Sequence, residues 1–266
     1  MTKTDQSDDT RQTVVRSLQI IELLSKRRCL GVTELAQEMS LAKSTVHAYL
    51  KTLVSCGYVV RESGKYCLAF RISLLGESVK NQSRLFTAAR DKIKKLASQT
   101  GLYTHLSVEE HHKNINICQV KGDQISRYKY QNNKVRHPEP LHYTATGKAI
   151  LASLPDKERT TILTEQELTQ QTPNTITDKN ELYEELELIQ ERGYSQNDEE
   201  EVVGFRAVGA PVRDVTDGSI GAISVSGPKS LIGKTEFDQE LPEQITRVAN
   251  LIELELNMTE VDSSSF

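Results

Sequence analysis

Residues 32–58 read VTELAQEMSLAKSTVHAYLKTLVSCGY, and this stretch decides the fold of the N-terminal part of the chain. Thr33 is a good N-cap for a short helix that runs through Met39, because its hydroxyl can accept from a free N–H group. Ser40-Leu41-Ala42 then forms a turn, and a longer helix is predicted over Lys43–Ser55. The pattern indicates two helices joined by a tight turn.

The helix over residues 43–55 has two distinct faces. At helical spacing, one face carries the apolar residues Val46, Leu50 and Leu53. The opposite face carries small or polar side chains at positions i, i+3, i+4 and i+7, namely Ser44, His47, Ala48 and Lys51. One face can therefore pack on the protein while the other enters a groove of DNA.

Two β-prone runs follow this helix pair. Gly57 is a stop signal for the helix, and Tyr58–Arg61 and Tyr66–Phe70 flank a four-residue turn that contains glycine. A hairpin placed directly after a helix-turn-helix is a wing. A first helix from Val14 to about Ser25 is expected to precede the pair.

A helix of this kind reads DNA with side chains near its N-terminus. Lys43, Thr45 and Lys51 are natural phosphate contacts, His47 suits a base edge, and Ala48 suits a thymine methyl group. The alternative is a helical pair packed in some other domain, with these side chains merely solvated; the wing and the local basic excess favour DNA. The residues expected to contact DNA are Lys43, Ser44, Thr45, His47, Ala48, Lys51 and, at the wing tip, Lys65.

The net charge of −4 conceals an asymmetry along the chain. Residues 1–80 contain 12 Lys and Arg against 8 Asp and Glu, a balance of +4, whereas the rest of the chain has a balance of −8. The basic part coincides with the suspected DNA-binding part, although the excess is too modest to make the case alone. At 266 residues, two domains are a reasonable expectation.

Composition also limits the cellular setting and the cofactors. The chain has no apolar run of bilayer length and no secretory signal, so a cytoplasmic protein without membrane contact is expected. The four cysteines show no C-x-x-C pair, so reduced, isolated thiols and no zinc site are predicted. His111-His112, near Cys118, is the single cluster that could suggest a metal, and a turn is the simpler interpretation. No cofactor and no metal are expected.

The remainder of the chain predicts an α+β domain with a largely antiparallel sheet, because strands and helices mix without a regular βαβ alternation. Strands are expected over Leu102–Glu109, Asn114–Val120, Ile125–Tyr130, Arg206–Arg213 and Ser219–Ser226, the last two joined by a turn through Asp217-Gly218, and helices over Thr144–Leu154, Asp178–Arg192 and Leu241–Leu256. The predicted organisation is a disordered tail (1–13), a winged helix-turn-helix (14–70), a linker helix region (71–100), a second domain (101–258) and a disordered tail (259–266).

Taken together, four segments resemble the IclR family of transcriptional regulators. These are residues 32–59, PLHYTATGKAILASLP at 140–155, RGYSQNDEEEVVGFRAVGAPVRD at 192–214 and GAISVSGP at 221–228. The resemblance implies an N-terminal winged helix, a linker helix and a C-terminal GAF-like domain that binds a small organic effector. It also implies homodimers or homotetramers on palindromic double-stranded operators.

Carried over by position, the resemblance implies an effector pocket that contains Ala145, Thr146, Asn197 or Asp198, Ala207, Ser224 and Ser226. Independently of the family, Thr144 can cap the helix that follows and leave N–H groups free at Ala145 and Thr146, a ready carboxylate or phosphate site. Ser224 and Ser226 alternate on a strand, so both hydroxyls face one side. The acidic run 198–201 would repel an anion, and a hydroxyl-rich ligand such as a sugar or sugar acid would ease this conflict if one acid accepts its hydroxyls. The simpler alternative is serines that bond locally to the backbone.

Two other functions compete with this reading. A hydrolase could use Ser224 and His142, but no G-x-S-x-G motif surrounds the serines. An architectural DNA-binding protein without an effector would not need so large a second domain. The sequence therefore predicts a non-enzymatic, ligand-responsive and homo-oligomeric transcriptional regulator of catabolic genes.

Overall fold

The computed structural model describes residues 11–127, 137–215 and 218–263, which divide into two compact units between Val79 and Lys80. The predicted disordered tails lie outside the described residues at 1–10 and 264–266. The prediction of disorder is wrong for the described residues of both tails, because the first helix begins at Gln12 and the last helix continues to Ser263. In the described ranges, no helix is both long enough and apolar enough to cross a bilayer.

The first unit combines helices with a small sheet. Its elements are α1 Gln12–Arg27, β1 Cys29–Leu30, α2 Val32–Glu38, α3 Lys43–Ser55, β2 Val59–Glu62, β3 Lys65–Leu68 and the beginning of α4 Arg71–Gln82. Among its described residues, three strands pair antiparallel in the order β1-β3-β2. Ile20, Leu35, Val46 and Leu50 are fully buried and form the centre of its core.

The two helices of the opening stretch form where the sequence predicts them, with one change at the start of α2. Helix α3 has the predicted bounds and buries the predicted face. Helix α2, however, begins before Thr33, because the Glu34 carboxylate accepts a hydrogen bond of 2.7 Å from the Gly31 N–H. This bond also lowers the pKa of Glu34. Gly31 is therefore the N-cap, and the prediction of Thr33 as the cap is wrong.

The prediction of four reduced thiols is also wrong. Cys29 and Cys67 form a disulfide, and Cys56 and Cys118 are not disulfide-bonded. The two cysteines are direct partners in the antiparallel pairing of β1 with β3, with their Cα atoms 4.4 Å apart. Strand β1 has two residues, and sequence patterning does not detect so short a strand. In the chain-entropy model, a link across 38 residues would stabilise the unit by about 4 kcal/mol.

The second unit has three layers, with helices on both faces of a sheet. Its principal elements are α5 Arg84–Thr100, β4 Tyr103–Glu110, β5 Lys113–Lys121, α6 Ala145–Ser153, α7 Asp156–Glu165, α8 Lys179–Arg192, β6 Ser195–Asp198, β7 Phe205–Arg213, β8 Ile220–Pro228 and α9 Leu241–Ser263. In the described residues, five strands pair antiparallel in the order β5-β4-β8-β7-β6. Helices α5 and α9 pack on one face, and α6 packs on the other, with α8 behind it. The predicted α+β class is confirmed.

Two predicted elements of this part of the chain are corrected. The linker is two helices, α4 and α5, because Ser83 is extended and its hydroxyl caps α5 by accepting from the Phe86 N–H at 3.2 Å. The predicted strand Ile125–Tyr130 is a 3-10 helix over Asp123–Arg127 that buries Ile125 completely; residues 128–130 lie outside the described residues. Asp217 of the predicted Asp217-Gly218 turn lies outside them too.

The core of the first unit gives a direct test of the role of α3. Leu50→Ala should lower the free energy of unfolding by about 2–5 kcal/mol, because it removes a fully buried side chain and leaves a cavity. Val54→Ala, at a position that is 39% exposed on the same helix, should change it by less than about 0.5 kcal/mol. Urea unfolding of both variants measures the difference, and equal losses would contradict the burial of this face.

Candidate DNA interface and effector cavity

The polar face of α3 is open to solvent. Lys43, Ser44, His47, Ala48 and Lys51 are all exposed, and Thr45 is half-buried. The apolar side of the same helix is buried in the core. One face thus packs on the protein and the other is free, as a helix that enters the major groove requires. The structure thus brings six of the seven candidate DNA contacts onto one helix.

The seventh candidate, Lys65, lies on the hairpin rather than at its tip. The tip is Ser63-Gly64, both with positive φ (49° and 81°), as a two-residue turn between twisted strands requires. The ammonium of Lys65 is 3.6 Å from the Glu34 carboxylate of α2, which offsets part of its charge. A second exposed cation on the hairpin is Arg61, whose guanidinium lies 5.8 Å from the centre of the Tyr66 ring. The sequence analysis did not single out Arg61.

The second unit contains a small polar cavity between the sheet and the N-terminus of α6. Its volume is about 30 Å³, which is room for one or two water molecules. Six of the seven residues proposed for effector contact line this cavity: Ala145, Thr146, Asn197, Ala207, Ser224 and Ser226. It is also lined by His105, Asn114, Asn116, Glu139, Thr144, Glu201, Val202, Phe205 and Arg206.

The end of α6 that faces the cavity is pre-organised for an anion. The Thr144 hydroxyl accepts from the Gly147 N–H at 2.9 Å. In the described part of the chain, the Ala145 and Thr146 N–H groups make no hydrogen bond. Gly209 lets this end approach the sheet, because a Cβ there would lie 2.7 Å from the Ala145 carbonyl oxygen. Two free N–H donors at the positive end of a helix dipole attract negative charge.

Hydroxyl and amide groups from the sheet complete the walls. His105 Nε2 lies 3.0 Å from Ser226 Oγ, and Asn116 Nδ2 lies 3.3 Å from His105 Nδ1. If the amide donates to Nδ1, the imidazole is the neutral form that donates from Nε2, and the Ser226 proton remains available for a ligand. On the other side, Asn114 Nδ2 lies 3.2 Å from Thr144 Oγ1 and 3.1 Å from Thr146 Oγ1.

Asp198 does not line the cavity, so its inclusion among the pocket residues was wrong. Residues alternate along β6, and Asn197 points inward while Asp198 points outward. The Asp198 carboxylate receives two hydrogen bonds from Arg206, of 2.9 and 3.0 Å, and lies 3.3 Å from the Lys229 ammonium. Arg206 holds the pKa of Asp198 below its ordinary value. The acidic residues that do line the cavity are Glu139 and Glu201.

These two carboxylates make one side of the cavity acidic. Together with burial, which is the larger cause, they raise the pKa of the neighbouring Tyr143 above its ordinary value. The cavity therefore presents N–H donors on the α6 side and carboxylate acceptors on the other.

The residues that suggest an enzyme or a metal site are not assembled. His142 does not line the cavity with Ser224; its Nε2 lies 3.1 Å from the Thr169 carbonyl oxygen, and burial lowers its pKa. His111 and His112 form the turn between β4 and β5, both with positive φ. In the described ranges, no group of three His, Cys, Asp or Glu side chains is placed to hold a metal ion.

A buried ion-pair network supports the cavity from behind. The Lys148 ammonium, whose side chain is 1% exposed, lies 2.6 Å from Glu200 Oε1 and 3.4 Å from Glu185 Oε1. Burial raises the pKa of Glu200, and Lys148 acts against this rise. Asn197 Oδ1 accepts from the Glu200 N–H at 3.2 Å, which connects the network to a cavity-lining side chain. The sequence analysis did not identify this network.

Comparison with known proteins identifies both units. The model of the IclR helix-turn-helix domain matches residues 13–63, and the model of the bacterial transcriptional regulator IclR C-terminal domain matches residues 77–254. The chain belongs to the IclR family. It is a transcriptional regulator with a helix-turn-helix DNA-binding domain, and not an enzyme.

Relatives in the IclR family match this chain over most of its length. It is 34% identical to the probable HTH-type transcriptional regulator ArcR of Halobacterium salinarum, over 91% of this chain and 93% of that protein. It is 31% identical to the HTH-type transcriptional regulator KdgR of Dickeya chrysanthemi, over 84% and 73% respectively. The crystal structure of the Thermotoga maritima IclR matches with a TM-score of 0.74 and 27% identity, over 92% of this chain and 98% of that one.

The buried network makes a pH-dependent prediction. In Lys148→Met, Glu200 loses the partner that lowers its pKa, so its carboxylate becomes harder to ionise in the folded state than in the unfolded state. An acid with a raised folded pKa favours folding when protonated, so the variant's loss of stability should grow as pH rises from 5 to 8, approaching about 3–5 kcal/mol.

Urea unfolding at both pH values measures this loss. Lys148→Met/Glu200→Gln should recover most of it, because the double variant has no unpaired carboxylate at this position. The matched control is Lys157→Met on α7, an exposed lysine that should show little change. A loss that is the same at pH 5 and pH 8 would contradict the assigned role of Glu200.

Proposed function

We propose that this chain is a homo-oligomeric regulator whose DNA affinity responds to a small organic acid or sugar-derived metabolite of a catabolic route. The observation that carries the proposal is the cavity at the α6 N-terminus, where two free N–H groups face hydroxyl, amide and carboxylate side chains. A helix N-terminus binds the acid group, and the remaining polar walls bind hydroxyl groups. Ala145, Thr146, Asn197, Ala207, Ser224 and Ser226 are the proposed contacts.

DNA is proposed to bind along the polar face of α3. Lys43, Thr45 and Lys51 contact phosphates, which fixes the position of the helix without reading sequence. His47 and Ala48 face base edges, Ser44 allows close approach, and Lys65 on the wing contacts a neighbouring phosphate once DNA competes with Glu34. In a dimer, two such helices read the half-sites of a palindromic operator.

This division of roles predicts different outcomes for two substitutions. Lys43→Ala should weaken binding to all duplexes alike and reduce the salt dependence by about one phosphate contact. His47→Ala should relax the preference at one base position by about 1–3 kcal/mol.

Fluorescence anisotropy on a duplex selected from a random pool, and on a scrambled duplex, measures both effects. Lys157→Ala, an exposed lysine of the second unit, is the control for loss of charge. Equal losses on the two duplexes for both variants would contradict the proposed roles.

The size of the cavity indicates how the response arises. A volume of about 30 Å³ cannot hold a metabolite with several heavy atoms, so binding requires a wider form of the cavity. A ligand that binds the wider form shifts the population toward it. In a dimer this changes the spacing of the two α3 helices relative to the operator, with a coupling of about 1–3 kcal/mol between the two sites.

Thermal shift with a panel of short hydroxy acids and hexose-derived sugar acids tests the effector. A member of the panel should raise the melting temperature, because a ligand that binds the native state stabilises it by mass action. Ser226→Ala should weaken this ligand by about 0.5–1.5 kcal/mol, as expected for one lost hydrogen bond.

Ser107→Ala is the matched control, because Ser107 is a buried serine on β4 that does not line the cavity. A ligand that binds but leaves the affinity for the selected duplex unchanged would contradict the proposed coupling between the effector site and the DNA site. If no compound in the panel binds, the effector-independent architectural function becomes the better proposal.

A further inference from the structure

We propose that Cys29 and Cys67 form a thiol-oxidation site that takes a low-molecular-weight disulfide as its oxidant and raises DNA affinity when the bond is closed. The inference rests on the proposed DNA binding by α3. It concerns the first unit alone and is independent of the effector.

The register of the small sheet places the two cysteines side by side. Cys29 and Cys67 are directly opposite each other in the antiparallel β1–β3 pair, at a Cα–Cα distance of 4.4 Å. This lies at the short end of the range in which disulfides form. Cys29 is half-buried and Cys67 is buried, so Cys29 is the sulfur that an external reagent reaches first.

A permanent structural bond does not suit the setting in which a DNA-binding protein works. Thiols in a compartment that holds DNA are kept reduced, and disulfides found there are usually transient and catalytic or redox-sensing. A cysteine pair already aligned across two strands therefore fits a reversible function. Cys56 at the end of α3 is exposed, and Cys118 is half-buried in the second unit; neither is disulfide-bonded.

The chemistry is thiol–disulfide exchange in two steps. The Cys29 thiolate attacks a sulfur of the small disulfide, which forms a mixed disulfide and releases one small thiol. The Cys67 thiolate then attacks the Cys29 sulfur, closes the intramolecular bond and releases the second small thiol. The protein loses two electrons and two protons, and the small disulfide gains them.

The position of the bond explains why it would affect DNA binding. Strand β1 leads into α2 after one residue, and β3 is both the central strand of the small sheet and one of the two strands of the wing hairpin. The closed bond therefore ties the wing to the helix pair. Apart from the bond, the strand pairing of β1 with β3 consists of Cys29–Cys67 and Leu30–Tyr66. A wing that is held in place loses less conformational freedom on binding, so the oxidised form should bind more tightly.

The experiment uses the full chain, treated with dithiothreitol or with oxidised glutathione, and a duplex selected by it from a random pool. Peptide mapping after alkylation should show a Cys29–Cys67 bond in the oxidised sample. Anisotropy should show a Kd about fivefold lower than in the reduced sample, and fresh dithiothreitol should reverse the change. Cys56→Ala, the matched control, should respond as the wild type does. Cys29→Ser/Cys67→Ser should not respond to oxidant.

The outcomes separate this inference from the proposed function. Absence of the Cys29–Cys67 bond after oxidation, or the same Kd for both forms, would overturn the inference and leave DNA binding intact. Binding of neither form to any selected duplex would overturn both. The reversal in the wild-type chain decides the matter even if the double serine variant does not fold.

Discussion

The buried ion pair between Lys148 and Glu200 is the constraint on which the cavity of the second unit depends. Helix α6 is surrounded by protein, and its one lysine meets a carboxylate from the segment that follows β6. A charge in this position is tolerated because it is paired, and removal of Lys148 leaves the buried Glu200 carboxylate without this partner. Thr175 Oγ1 donates to the Glu200 carbonyl oxygen at 2.7 Å, so the segment is also held through its backbone. The adjacent residue, Glu201, is thereby fixed at the cavity.

This arrangement also determines the electrostatics that a ligand meets. The one cationic side chain that lines the cavity among the described residues is Arg206, and it already carries a bidentate bond to Asp198 and lies 4.7 Å from the Phe237 ring. Lys148 is likewise committed to Glu200. Attraction for an anion therefore comes from the α6 N-terminus, a partial charge rather than a full one. A modest attraction of this kind favours ligands that add several hydroxyl contacts to one acid group.

The sequence predicted well those features that follow from a short repeat along the chain. The two faces of α3 follow from a 3.6-residue repeat, and the shared side of Ser224 and Ser226 follows from a two-residue repeat. The same two-residue repeat could have found Asn114 and Asn116, which line the cavity from one strand, and could have separated Asn197 from Asp198. These are errors of application rather than limits of the sequence.

The break in the linker is also a local signal, because the Ser83 hydroxyl caps α5 by accepting from the Phe86 N–H three residues later. The remaining errors arise from tertiary pairing, which no local repeat encodes, because the disulfide requires that a two-residue strand align with β3. The Lys148–Glu200 pair joins residues 52 positions apart. Such contacts depend on how whole elements pack, so they are visible only once the sheet and its helices are assembled.

Widening of the cavity has a physical cost that the structure locates. Residues 201–206 contribute to one of its walls, and the chain that leads into this wall is held at Asp198 by Arg206 and Lys229, at Glu199 by Lys229, and at Glu200 by Lys148. The ion pairs at Asp198 and Glu199 are partly exposed and individually weak, whereas the ion pair at Glu200 is buried and costly to break. Entry of a ligand should therefore bend the exposed part of the wall around a fixed point at Glu200. A ligand that paired with Arg206 would release Asp198 and lower the cost of this movement, which makes the Asp198–Arg206 bond the element best placed to set how readily the cavity opens.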